Sequence, residues 1–311
     1  MLADLEASNL SFGTLGKYKL LKRRMMAFAE SRGFILLKDI DLDTLGKFRA
    51  TWTDGPRTAA KKLERLRAFY RFCFDRQWIE ANLAKRIRLP KIAVSPTLPL
   101  TRADMVKILA AADKLEIEAQ PHGKANAQRL KTLVLLMRYS GLRVSDAVAL
   151  TTDRLSGNKL FLYTQKTGTP VHTILPESVR LALDSTPMAS HNRFFWTGNG
   201  KRETAISDWQ MRMKDLFDEA KISKGLSNAV SHRFRDTFAV ELLLAGVPIE
   251  RVSVLLGHAS VRITERHYNP WVLARQEQLE KDVAAAWELD PYLAATQKVR
   301  TNSVQPSQRP N

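Results

Sequence analysis

Apolar positions recur at helical spacing along most of this chain. Leu21, Met25, Phe28 and Ala29 fall on one stripe, which predicts a helix from Thr14 onward with Gly33 as its stop. Leu45, Phe48 and Trp52 mark a second, shorter helix. After the turn Asp54-Gly55-Pro56, Thr58 is placed to cap a third helix that points Leu63, Leu66, Tyr70 and Cys73 at a core. Residues 1–13 carry no such stripe and are expected to be flexible. Residues 14–88 therefore predict a small all-helical domain of roughly 75 residues. The stretch 89–100 (LPKIAVSPTLPL) has three prolines and no periodic pattern. It reads as an extended linker, since each proline blocks helix and stiffens the chain.

A second domain is predicted over 101–289, opening with Thr101 as cap of a helix that begins Arg102-Ala-Asp104. Pro121-His122-Gly123 interrupts the pattern, and Leu130, Leu133, Val134 and Met137 then line a helix ending near Gly141. The pattern changes to strand-like runs in KLFLYTQ and PVHTIL. These flank Lys166-Thr167-Gly168-Thr169, which predicts a hairpin with Lys166 at its tip. A loop over 191–200, a helix around 208–220 and a second loop over 221–231 follow. Ser231 is placed to cap a helix over 232–245 that turns Phe234, Phe238 and Leu242 inward, with Gly246 and Pro248 beyond its end. A short helix ends at Gly257, and Tyr268 follows after a brief connection. The last helix, 271–287, carries Leu279, Val283 and Trp287 on one stripe. Residues 290–311 are polar and predicted to be disordered. The fold class is mainly α with a small β-hairpin: an all-helical N-terminal domain followed by an α+β domain.

Composition sharpens this picture in two respects. The 311 residues carry 49 Lys+Arg against 32 Asp+Glu, a formal net charge of +17, which points to an anionic polymer partner, nucleic acid first. Residues 1–100 hold 20 of those bases against 10 acids. The outward face of the third helix shows Lys61, Lys62, Arg65, Arg67 and Arg71, with Arg76 beyond, and is expected to meet DNA phosphates without matching acids nearby. The single cysteine, Cys73, excludes a disulfide framework and argues against a Cys-based zinc cluster. No apolar run reaches membrane-spanning length and no signal pattern opens the chain. The expected location is cytoplasmic and nucleoid-associated.

The candidate chemistry gathers between Ser231 and Tyr268. His232 and Arg235, three positions apart, share a face at the first turn of a helix, where free amides and the helix dipole suit a phosphate. Arg143, just after a helix-ending glycine, can project a second guanidinium. Two arginines can hold the non-bridging oxygens of one phosphodiester and stabilise a pentacoordinate transition state. Lys166 can protonate a leaving alkoxide, and Tyr268 is the candidate nucleophile. Near neutral pH about a thousandth of a phenol of pKa about 10 is ionised, so neighbouring cations or a base need supply only a few kcal/mol. No Asp/Glu cluster of metal-ligand type is visible, which disfavours a two-metal nuclease. Singly these signals have plainer readings: His-x-x-Arg arises by chance, and a lone tyrosine beside a helix is commonly core. The ordered set is the specific signal.

That set resembles the tyrosine recombinase (phage integrase) family. The matching residues are GLRVSD with Arg143 and Asp146, the hairpin Lys166, SHRFR with His232 and Arg235, LGH with His258, and HY with Tyr268. The resemblance implies a core-binding (SAM-like) domain over 14–88, a catalytic domain over 101–289, and a form without an arm-binding domain. It implies that Tyr268 attacks the scissile phosphate to leave a 3′-phosphotyrosyl link and a free 5′-hydroxyl, without metal, ATP or other cofactor. Arg143, Arg235 and His258 would bind the phosphate, His232 would handle the tyrosine proton, Lys166 the leaving oxygen, and Asp146 would buttress the site. The implied partner is double-stranded DNA at a specific recombination site, with a homotetramer as the working assembly. Two departures stand out. Tyr268 follows His258 by ten positions, one more than in many members, and Asp236 follows Arg235 where a histidine is frequent. Rival readings are a helix-turn-helix regulator built on ELLLAGVPIERVSVLLGH, a metal-free nuclease using His232, His258 and Lys166, and, within the same chemistry, a type IB topoisomerase or telomere resolvase.

Overall fold

Helical stripes cut short by glycine and proline dictate short helices around separate cores, and the chain divides into two units, Met1–Ser95 and Pro96–Asn311. The structure, a computed structural model, describes residues 1–8, 10, 12–92, 99–223 and 230–288. Three predicted segments therefore lie partly or wholly outside the described residues: 93–98 of the linker, 224–229 of the loop before the His-x-x-Arg helix, and the tail over 290–311.

The first unit contains α1 (Leu2–Ala7), α2 (Phe12–Glu30), α3 (Leu42–Ala50) and α4 (Pro56–Asp75), with 3-10 turns at Leu37–Asp39 and Leu83–Arg86. Leu21, Met25, Leu45, Phe48, Trp52, Leu63, Leu66 and Tyr70 share one core, and Cys73 is fully buried beside them. Two expectations need correction. A helix, α1, forms within residues expected to be flexible, although it buries no side chain. Helix α4 starts at Pro56, ahead of Thr58, because proline at the first helical position has its φ preset and gives up an N–H that would have no partner there.

The basic face of α4 is also less bare than expected. Lys61 pairs with Glu64 at 2.9 Å, Lys62 with Asp54, and Arg71 with Asp75 at 2.7 Å. Arg67 donates to the carbonyls of Ala84 at 3.2 Å and Ile87 at 2.6 Å, so it clasps the 3-10 turn that follows. Arg65 has no acid partner among the described residues.

The second unit runs α5 (Arg102–Glu118), α6 (Pro121–Ser140), α7 (Val144–Val148), β1 (Leu155–Ser156), β2 (Lys159–Tyr163), β3 (Pro170–Ile174), α8 (Glu177–Ser185), α9 (Arg202–Glu219), α10 (Val230–Leu244), α11 (Ile249–Leu255) and α12 (Val261–Glu288). Thr101 caps α5 in a reciprocal capping box with Asp104, and the preceding Leu100 N–H donates to Thr237 Oγ1 at 2.8 Å. The three strands form an antiparallel sheet in the order β1-β2-β3, with Leu160 opposite Thr173 and Leu162 opposite Val171. The predicted hairpin is present. Strand β1 and helix α8 were not legible, and α9 starts six residues earlier than expected, at Arg202.

Helix α10 packs against α6, α9, α11 and α12 and joins two apolar clusters. Phe234 belongs to the larger one, with Leu133, Met137, Phe217 and Trp209. Val240 and Leu243 belong to the other, with Val252, Leu256 and Tyr268, while Phe238 and Leu242 flank it only partly buried. Ser231 is not the cap of this helix: α10 already includes Val230, and Ser231 is buried in its first turn. The last helix begins at Val261 rather than at 271, so Tyr268 lies inside the continuous helix α12, which runs on through Pro270.

Candidate active site

The second unit is organised around one buried guanidinium. Arg235 is 2% exposed. Its Nη1 donates to the Gly141 carbonyl at 2.7 Å and its Nη2 to the Leu256 carbonyl at 2.6 Å. Those carbonyls belong to the Gly-Leu-Arg and Leu-Gly-His segments, so one side chain ties three sequence motifs together. Both glycines are sterically required. Gly141 has φ +65° and a Cβ there would lie 2.4 Å from Phe238; Gly257 has φ +59° and a Cβ there would lie 2.6 Å from Val171. Arg143 precedes α7 as its N-cap residue, and its Nη1 is buried without a hydrogen-bond partner among the described residues. His258 follows Gly257, and its Nδ1 is hydrogen-bonded to the buried Thr264 hydroxyl at 2.8 Å. That contact leaves Nε2 as the ring nitrogen able to reach a ligand.

The electrostatics show these groups sharing one neighbourhood. Enclosure by protein, then the charges of Arg235 and Arg143, hold the His258 imidazole down to about 3. His232, more open at the rim, is held down to about 4 by the same causes in the same order, with His267 and Lys166 adding to the effect. Both rings are neutral at neutral pH. Burial, followed by Arg143, lowers Arg235 to about 10, and it stays cationic. The result is a buried guanidinium with two neutral imidazoles in its field.

Lys166 is exposed in the β2–β3 turn, as expected of a hairpin tip. The turn is anchored from beneath: Asp146, 3% exposed, accepts a hydrogen bond from the Gln165 backbone N–H at 2.8 Å. Burial raises the Asp146 pKa, against the pull of that N–H and of Arg143, Arg235 and Arg202. That hydrogen bond ties Asp146 to the hairpin, and Arg202 of α9 donates to the Gln165 side chain.

Tyr268 is 2% exposed. Its hydroxyl donates to Oδ1 of Asp236 at 2.7 Å. Burial first, then the Asp236 carboxylate, raises the phenol's pKa, while Arg235 and Arg143 pull the other way. Sequence reasoning had no role for Asp236; the available signal was its departure from the histidine frequent after the second arginine. The structure thus brings Arg143, Asp146, Lys166, His232, Arg235, His258 and Tyr268 into one unit. Lys61, Lys62, Arg65, Arg67 and Arg71 belong to the other.

Among the described residues no helix is long and apolar enough to cross a membrane. A profile of the phage integrase family matches residues 99–271. The chain is 27% identical over 222 residues to the tyrosine recombinase XerC of Chlamydia muridarum, an alignment covering 68% of this chain and 66% of that protein. It is 26% identical over 254 residues to XerD of Caulobacter vibrioides, covering 76% and 81%. In structure it is similar to a lambda integrase dimer bound to a COC′ core site, with a TM-score of 0.65 and 19% identity over 87% of this chain and 92% of that one. It is also similar to the XerH recombinase bound to difH, with a TM-score of 0.61 and 19% identity over 86% and 80%. Over half the chain falls within the family profile, and the residues knitted together by Arg235 all lie inside it. The chain belongs to the phage integrase family and is a tyrosine recombinase.

Proposed function

We propose that this chain cleaves and rejoins double-stranded DNA at a specific site through a 3′-phosphotyrosyl intermediate on Tyr268, without metal or ATP. Arg143 and Arg235 hold the non-bridging oxygens of the scissile phosphate, joined by Nε2 of His258 as a neutral donor and by His232 at the rim. Lys166, on a turn anchored by Asp146, protonates the departing 5′ oxygen. The link to Tyr268 conserves bond energy, and a 5′-hydroxyl from a partner strand reverses the step. The observation that carries this reading is the orphaned Nη1 of Arg143. A buried unsatisfied donor costs about 1–3 kcal/mol, and a phosphate between Arg143 and Arg235 relieves that cost in the transition state as in binding.

The chain acts as a homotetramer on DNA, in the nucleoid. Support comes from the exposed apolar stripe on α12, where Leu279 is 41%, Val283 45% and Trp287 62% exposed, and from a lambda integrase tetramer bound to a Holliday junction. Lys61, Lys62, Arg65, Arg67 and Arg71 contribute backbone-phosphate contacts from the first unit, Arg65 most directly.

The test uses a duplex selected from random sequence for binding to this protein, then nicked next to the cleavage site so that the short strand escapes and traps the adduct. The wild type is expected to form a covalent adduct that mass spectrometry maps to Tyr268. Tyr268→Phe is expected to form none while binding the duplex as tightly. An adduct that persists in Tyr268→Phe overturns the nucleophile assignment.

A further inference from the structure

A general base must lie within hydrogen-bond reach of the proton it removes. Among the described residues the side chain in that position for the Tyr268 hydroxyl is the Asp236 carboxylate, 2.7 Å away. Asp236 is four positions after His232, so the two share a face of α10. We propose that Asp236 is the catalytic base of strand cleavage, taking the phenolic proton as Tyr268 attacks and returning it when the phenol is expelled on rejoining. This rests on Tyr268 being the nucleophile.

The atoms balance. A bond forms between Tyr268 Oη and phosphorus, and the bond from phosphorus to the 5′ oxygen breaks. The phenolic proton passes to Oδ1 of Asp236, and Lys166 supplies the proton on the 5′ oxygen. Rejoining runs these steps backwards, with no change of oxidation state.

The surroundings suit the task. Burial raises the Asp236 pKa, while the hydrogen bond from the Tyr268 hydroxyl, then Arg235, His267 on α12 and Arg233, favour its charged form. The phenol is raised as well, so the proton passes as the bond to phosphorus forms, and the hydrogen bond already in place sets its path. The imidazoles are poorer candidates than their residue type suggests. His232 and His258 are held down to about 4 and about 3, and His258 already spends Nδ1 on Thr264. This chain carries a carboxylate where a histidine is frequent, and that carboxylate touches the reacting atom.

The test is single-turnover cleavage of the nicked duplex from acid to alkaline pH. Asp236→Asn keeps an oxygen that can accept from the phenol but cannot take its proton. It is expected to bind DNA and melt as the wild type does, and to cleave about 10²–10⁴-fold more slowly, with a rate that climbs with pH as hydroxide replaces the carboxylate. Asp236→His offers an imidazole in the same place. It is expected to cleave with a profile moved towards the ordinary imidazole range near about 6.5, and this arm decides the matter if the Asn variant misfolds. An Asn variant as fast as the wild type or faster, or a His variant with an unmoved profile, overturns the assignment. An adduct mapped in the wild type to a residue other than Tyr268 defeats the nucleophile reading instead, so the two failures are distinguishable.

Discussion

Arg235 spends two donors on the carbonyls of Gly141 and Leu256, and the desolvation and positive charge around it set the state of its neighbours. Burial, then the charges of Arg235 and Arg143, hold His232 and His258 down to about 4 and about 3, against about 6.5 in an unfolded chain. Below about pH 6.5 the unfolded chain takes up protons that the folded chain refuses. The contribution of these rings to stability is therefore complete above that pH and is lost as pH falls through 4. Asp146 and Asp236 are raised by burial and act in the opposite sense, favouring the folded chain as pH falls towards the ordinary carboxylate range, so the informative quantity is a difference between variants. Without DNA, the thermal midpoint of the wild type is expected to fall between about pH 7 and about pH 5 more steeply than that of His258→Gln. Parallel melting curves for the two proteins across that interval would contradict the depressed imidazole.

Helix α12 joins two roles along one continuous element. Its first half delivers Tyr268 into the cluster with Val252 and Leu256; its second half presents Leu279, Val283 and Trp287 to solvent. Pro270 lies between them, and it reads in sequence as a boundary because proline removes a helical hydrogen bond. The helix absorbs that loss and continues, which accounts for the last helix being expected to begin only at 271, after Tyr268. An exposed side chain contributes little to the stability of the chain that carries it, typically within about 0.5 kcal/mol. Replacing Leu279, Val283 and Trp287 with serine is therefore expected to leave the melting temperature of the free protein almost unchanged, while light scattering shows fewer subunits per DNA. A large drop in melting temperature would mean the stripe packs within its own chain.

The net charge of +17 bears on association rather than on fold. Several of its members are committed internally: Lys61, Lys62 and Arg71 to acids and Arg67 to carbonyls. Exposed pairs contribute only about 0–1 kcal/mol, so Lys61 and Arg71 can exchange their acids for phosphates, whereas Arg67 would have to release the turn it clasps. The binding constant for DNA is expected to fall linearly with salt on logarithmic axes, and Arg65→Gln to reduce the slope by about 1. Anisotropy titrations at several salt concentrations measure both; a flat response would remove phosphate neutralisation as the source of affinity.

Periodicity, punctuation and motif order are properties of neighbouring positions, and they were legible before any coordinates. The stripe through Leu63, Leu66 and Tyr70, the stop at Gly141, the hairpin under Lys166 and the ordered set from Arg143 to Tyr268 all follow from them. What they encode is which face of an element turns inward, not what that face meets. Asp236 is 32 positions from Tyr268, and the Gly141 carbonyl is 94 positions from Arg235. Only packing α10 against α6 and α12 decides that these groups touch and that two histidines lose their ordinary affinity for protons, as only the packing of the first unit decides that Arg67 clasps a turn. Burial and charge act through space, and the identity of a buried group's partner is a fact of the folded chain.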